Sequence, residues 1–154
     1  MTTVLLDTGV LGRACHASHR ELTEAVQDWI VSLRYAGHKV VVPEIADYEL
    51  RRGLLRVKQL AAIATLDRLG ADLTYLPLNT GMMFEAASLW AETRRSGRTT
   101  APDAALDGDV ILAAQTISLE KLGHRCIVAT TNVRHLNWFV DARTWDSIDP
   151  AALT

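Results

Sequence analysis

The chain has 154 residues, of which 49% are hydrophobic and 22% charged, with a formal charge of −2. That is enough apolar chain for one domain with a sizeable core, and it excludes a global basic field as the means of attracting a polyanion. No apolar run approaches the roughly 18 residues of a membrane span and the N-terminus lacks a basic and apolar leader, so the expected compartment is the cytoplasm.

Val4-Leu5-Leu6 is a short, continuously apolar run that ends on Asp7-Thr8-Gly9. Such a run suits a strand buried on both faces of a parallel sheet. From Val10 to Arg34, Leu22, Val26, Trp29, Ile30 and Leu33 recur at helical spacing, and Gly37 marks the stop. Lys39 to Val42 is a second strand, and Pro43 opens a helix that carries Glu49. Gln59 to Leu69 is a further helix, closed by Gly70. Leu73 to Leu78 is a third strand. Asn79 or Thr80 caps a helix over Gly81 to Arg95, followed by the polar loop Ser96 to Thr100. Asp103, after Pro102, reads as a turn residue. Asp107 reads as the N-cap of a helix running to Leu122, with Asp109 in its first turn. Cys126 to Thr130 is a fourth strand, Asn132 follows it, and Arg143 to Trp145 makes a short fifth.

Strand and helix alternate throughout, which predicts an α/β fold with a mostly parallel sheet of four or five strands. We expect one domain over residues 1–149 and a loose tail over 150–154. Cys15 and Cys126 are far apart, without metal or redox spacing, and read as small buried hydrophobes in a reducing compartment.

Asp7, Glu49, Asp109 and Asn132 each stand near the end of an element, where open parallel sheets bind ligands. Clustered carboxylates repel one another, and a hard dication such as Mg²⁺ or Mn²⁺ relieves the repulsion. Each residue also has a plainer reading. Asp7 can cap a helix, Glu49 can be a solvated helix residue, Asp107 can be an N-cap only, and Asn132 can form an Asx-turn. His16 and His19 lack a third ligand nearby and read as surface residues. Trp29, Trp90 and Trp138-Phe139 read as packing rather than base stacking.

Four segments resemble the PIN domain family, and among its members the VapC toxins of bacterial toxin–antitoxin pairs. Val4-Leu5-Leu6-Asp7-Thr8-Gly9-Val10-Leu11 is similar to its opening strand and first acid. Val42-Pro43-Glu44-Ile45 through Tyr48-Glu49-Leu50 and Gly53-Leu54 is similar to its second motif. Asp107-Gly108-Asp109-Val110-Ile111-Leu112-Ala113-Ala114 is similar to the third, and Ala129-Thr130-Thr131-Asn132-Val133-Arg134-His135-Leu136 to the fourth. Many members carry an aspartate where His135 stands, so the fourth acidic ligand is either missing or supplied by Asp107.

The resemblance implies a three-layer α/β/α fold and a metal-dependent endoribonuclease, homodimeric and neutralised by a small antitoxin. The implied ligands are Asp7, Glu49 and Asp109, with Asp107 as the candidate for the fourth, for Mg²⁺ or Mn²⁺. Asn132 would orient a ligand or water, and Thr8 and Thr130 or Thr131 would support the ligands. Arg13, Arg52, Arg98, Arg134 and His135 are the rim candidates for contacting RNA. The Asp7-Thr8-Gly9 triplet also occurs in aspartic proteases, but those need an all-β body. Phosphoryl-transfer enzymes with an aspartate after a strand usually carry a second acid where Gly9 stands. A PIN-fold protein that processes RNA without an antitoxin, or one that binds without cutting, stays open.

Overall fold

A computed structural model describes all residues, 1–154. Five strands form one parallel sheet in the order β3-β2-β1-β4-β5. They are β1 (Thr2–Leu6), β2 (Lys39–Pro43), β3 (Thr74–Leu76), β4 (Arg125–Thr130) and β5 (Ala142–Thr144). The helices are α1 (Thr8–Cys15), α2 (Arg20–Tyr35), α3 (Glu44–Arg56), α4 (Leu60–Asp72), α5 (Thr80–Ser96) and α6 (Asp103–Lys121). No helix is long and apolar enough to cross a membrane.

Strand side chains alternate between faces, and β1 is buried throughout. Val4 and Leu6 pack with residues of α1, α2 and α4 on one face. Leu5 packs with Leu112 and Ala113 of α6 on the other. A smaller cluster of Met82, Ala86, Leu106, Val110 and Ala114 joins α5 to α6. α3 closes the edge and serves both faces, with Ala46 in the first cluster and Ile45 in the second. The result is an α/β/α sandwich. Cys15 and Cys126 are buried and unpaired.

Four expectations change. The helix read from Val10 to Arg34 is two helices, α1 and α2. Leu11 and Leu22 are eleven residues apart, about three helical turns, so the two apolar stripes run in phase and hide the break. α2 itself satisfies carbonyls at the end of α1: the Thr23 hydroxyl donates to His16 O at 2.6 Å and Gln27 Nε2 to Ala14 O at 2.9 Å. α6 starts at Asp103, not Asp107. Pro102 stands at its N-cap position and Asp103 and the good helix formers Ala104 and Ala105 make its first turn. The C-terminal residues are not loose. The Thr2 hydroxyl donates to Thr154 O at 2.6 Å, His38 Nε2 bonds Pro150 O at 3.0 Å, and Leu153 packs on the first core cluster. β3 is also shorter than expected, because α4 continues through Gly70 to Asp72.

The strand order places the turn-around of the winding between β1 and β4. That is where open parallel sheets leave a crevice beyond the strand ends.

Candidate metal centre

Asp7 leaves β1 at this crevice and stands at the N-cap of α1. Its Oδ1 accepts from the Thr8 N–H at 2.7 Å, and its Oδ2 accepts from the Thr130 hydroxyl at 2.6 Å. Capping and a place at the sheet mouth are therefore two uses of one carboxylate. Thr130, the last residue of β4, also accepts from the Asn132 N–H at 3.1 Å. This hydroxyl thus ties the end of β1 to the turn after β4.

Glu49 reaches the same place from the second turn of α3. The Thr8 hydroxyl donates to Glu49 Oε1 at 3.0 Å, and the Arg52 guanidinium lies 3.8 Å from Oε2. Asp109 arrives from the second turn of α6, with His135 Nδ1 at 3.6 Å from its Oδ2.

The electrostatics tell the same story as the geometry. Burial pushes the Asp109 carboxyl up to about 6, and the charge of Asp7 adds to the rise. Burial raises Asp7 as well, against the opposing hydrogen bonds from Thr130 and the Thr8 N–H. Burial raises Glu49, with Thr8 and Arg52 opposing and Asp7 reinforcing. Three half-buried acids face one another, and the basic groups beside them, His135 at 3.6 Å from Asp109 and Arg52 at 3.8 Å from Glu49, both stand at the long limit of an ion pair.

Two glycines make the convergence possible, and sequence reading assigned neither this role. A Cβ at Gly108 would stand 2.8 Å from Glu49 Oε2, so Glu49 lies across the bare backbone of α6. A Cβ at Gly9 would stand 2.4 Å from Thr131 Oγ1, so the turn after β4 closes directly onto α1. The signal was present in both motifs, as a glycine within two residues of the acid. Gln115 was also missed. It is fully buried, accepts from the Ile45 N–H at 3.3 Å and donates to Leu76 O at 2.8 Å. It thereby supplies α3 with the cap that Pro43 cannot give, and fixes the helix that carries Glu49.

Other expected residues fall elsewhere. Asp107 is two residues from Asp109, about 200° around the helix. It lines a groove of about 430 Å³ between α5 and α6, with Met83, Trp90 and Val110. It is neither the N-cap of α6 nor a neighbour of the three acids. Asn132 contributes its backbone N–H, while its residue is exposed. Arg52 is exposed over the Tyr48 ring, and Arg98 lies over Trp138. Arg134 is exposed, and Arg13 is half-buried in the last turn of α1.

The donor set is all carboxylate oxygen, which suits a hard dication in kind. The side chains as they stand do not form a group of three close enough to grip an ion. Both Asp7 oxygens are engaged by Thr8 and Thr130, so holding an ion would require Glu49 and Asp109 to move inward.

A family model described as "PIN domain" matches residues 4–134. No curated protein matches by sequence. Among solved structures, VapBC2 of Rickettsia felis bound to a DNA fragment from its promoter is similar, with a TM-score of 0.69 at 15% identity over 94% of this chain and 100% of that one. VapBC-1 of nontypeable Haemophilus influenzae gives 0.64 at 16% over 95% and 100%. DNA-bound VapBC of Salmonella typhimurium gives 0.65 at 19% over 94% and 99%. At these identities the likeness is one of fold.

Proposed function

The chain belongs to the PIN domain family, and from that premise we propose that it is a metal-dependent endoribonuclease, the cytoplasmic toxin of a toxin–antitoxin pair. The observation that carries the reading is that Asp7, Glu49 and Asp109, from three separate elements, converge at the crevice beyond β1 and β4, each raised by burial and the last two also by the charge of Asp7.

These three carboxylates would hold Mg²⁺ or Mn²⁺. A dication held by these residues would supply an activated water and charge compensation at the scissile phosphate. Thr130 and the Thr8 N–H hold Asp7 in one orientation, and the Thr8 hydroxyl does the same for Glu49. His135 stands beside Asp109 and can share a proton with it or with a phosphate oxygen. Arg52 and Arg98 supply cationic rim contacts, which position a backbone without reading its sequence.

Two surfaces suit protein partners. An apolar cavity of about 180 Å³ lies among α1, α3 and α4, with Leu50, Leu54 and Val57 in its wall. Leu55, Val57 and Leu60 are exposed on the same helices. This is a fitting seat for the apolar face of a small antitoxin, in keeping with the VapBC complexes of like fold. Phe84 and Met83, exposed on α5, offer a face to a second copy.

The test is direct. Purified chain, free of antitoxin, should cut RNA with added Mg²⁺ or Mn²⁺, and Asp7→Ala should abolish the cutting. Equal cleavage by both proteins would sink the assignment. His135, beside Asp109 where many relatives carry an acid, favours a second reading, a PIN-fold binding protein with weakened cleavage. If expression of the chain arrests growth and Glu49→Ala relieves the arrest, that second reading is excluded.

A further inference from the structure

We propose that Trp138 is a stacking platform for a nucleobase of the RNA chain, set beside the acid pocket; the proposal rests on the ribonuclease reading. Sequence alone reads Trp138-Phe139 as a packing pair. The structure separates the two residues. Phe139 and Leu136 pack against the core clusters, whereas Trp138 belongs to none and is 39% exposed.

The backbone presents this ring deliberately. After Asn132 the chain enters a short 3₁₀ turn, Arg134–Trp138, in which residues three apart eclipse one another. His135 and Trp138 are such a pair, and their rings stack at 4.5 Å between centroids with 27° between planes. Arg134, at the start of the turn, has φ +26°, a conformation that a residue with a Cβ adopts at a cost. The turn keeps this costly conformation while its 3₁₀ spacing aligns His135 and Trp138.

The surroundings suit a nucleotide. His135 touches Trp138 on one side and stands 3.6 Å from Asp109 Oδ2 on the other, so the indole is one side chain away from the acid pocket. The Arg98 guanidinium lies 5.9 Å from the Trp138 ring centre. Its loop is pinned by Arg94, which donates to Thr99 O at 3.1 Å, to Ala101 O, and to Asp103 Oδ1 at 3.0 Å. The indole stacks on His135 and carries the Arg98 guanidinium over its ring, so an entering base takes the place of Arg98 and leaves its charge for the phosphate, the two needs of single-stranded RNA. A protein partner would also value an exposed tryptophan. The cation over the ring and the opening toward the acid pocket favour the polyanion, in a chain whose net charge is negative.

Binding is measured without metal, so that nothing is cut, using a short oligoadenylate and an abasic oligomer of equal length. Wild type should bind the oligoadenylate roughly tenfold more tightly than the abasic strand, the scale of one base–aromatic stack. Trp138→Ala should lose that preference, and Trp138→Phe should keep most of it. If the alanine variant does not fold, Trp138→Leu against Trp138→Phe carries the same comparison. An undiminished preference in the alanine or leucine variant overturns the proposal. So does unchanged oligonucleotide binding with an altered oligomeric state, which would make the ring a protein contact. Cleavage with metal is followed in parallel. Base preference without cutting keeps the platform and removes the nuclease reading, and cutting without base preference does the reverse.

Discussion

Asp47 and Glu49 lie two residues apart on α3, and both are drawn out of water, yet their circumstances are opposite. Asp47, 8% exposed, accepts from Arg51 Nε at 2.9 Å and from the Tyr75 hydroxyl at 2.7 Å. Arg51 also pairs with Asp67 on α4 at 2.8 Å. Burial and the Asp47 carboxylate push the Tyr75 hydroxyl up, so it stays a donor. Glu49, about 200° away around the helix, faces α1 and α6. It has one hydroxyl donor and a cation at 3.8 Å, and it shares its pocket with two more acids. A carboxylate that serves the fold is neutralised by the chain itself. The acids at the crevice are buried together without a full set of cations, a state that costs stability and is useful only if something positive arrives.

The comparison can be broken in four ways. The largest effect belongs to Asp109→Asn. Cleavage of RNA should fall by on the order of a hundredfold to a thousandfold, while the melting temperature rises, because a repelling charge has gone. A variant that loses both activity and stability would place Asp109 with the structural acids. Gly108→Ala should follow, with cleavage reduced by about tenfold to a hundredfold, the range for disturbing a ligand's support. The new methyl group meets Glu49 Oε2, so the circular dichroism spectrum should stay native while activity drops. Unchanged activity would mean that the position of Glu49 over α6 is immaterial.

Asp47→Ala should act in the other direction. It strips Tyr75 and Arg51 of their shared acceptor and should lower unfolding stability by about 2 kcal/mol in a urea titration. The folded fraction should still cut RNA. Loss of cleavage in fully folded protein would show that the two acids are not separable. The smallest effect is the pH dependence of the metal-free chain. Asp109 binds its proton more tightly folded than unfolded, so that contribution is present at low pH and is lost as pH rises from 3.8 to about 6. Asp7 and Glu49 shift in the same direction. Melting temperature should therefore decline across this window, less steeply in Asp109→Asn, and millimolar Mg²⁺ or Mn²⁺ should restore it above the window. A flat profile would mean that neither burial nor neighbouring charge raises the three acids.

Much of the fold was legible because it is written in local signals. Val4-Leu5-Leu6, Val40-Val41-Val42 and Ile127-Val128 announce buried strands by their unbroken apolar character, and Gly37, Gly97 and Gly123 end helices at positive φ. The α1–α2 break was not legible, because two stripes in phase look like one. The start of α6 was misplaced because Asp103 and Asp107 are equally good starting residues by type. Only the packing of Leu106 against Met82 and Ala86 shows that the helix has already begun.

By itself the sequence determined the alternation of strand and helix, and that Asp7, Glu49 and Asp109 lie near element ends. These are matters of periodicity and of neighbours a few residues away. Tertiary structure decided which acids meet. Asp109 joins Asp7 and Glu49 while Asp107 turns toward α5, because helical phase counts for nothing until α6 is docked. It also decided that Trp138 leaves the core while Phe139 enters it, a division made where the 3₁₀ turn Arg134–Trp138 ends against the sheet. Carboxylates from separate elements come together only through strand order and the missing side chains of Gly9 and Gly108, and neither can be read from one stretch of chain.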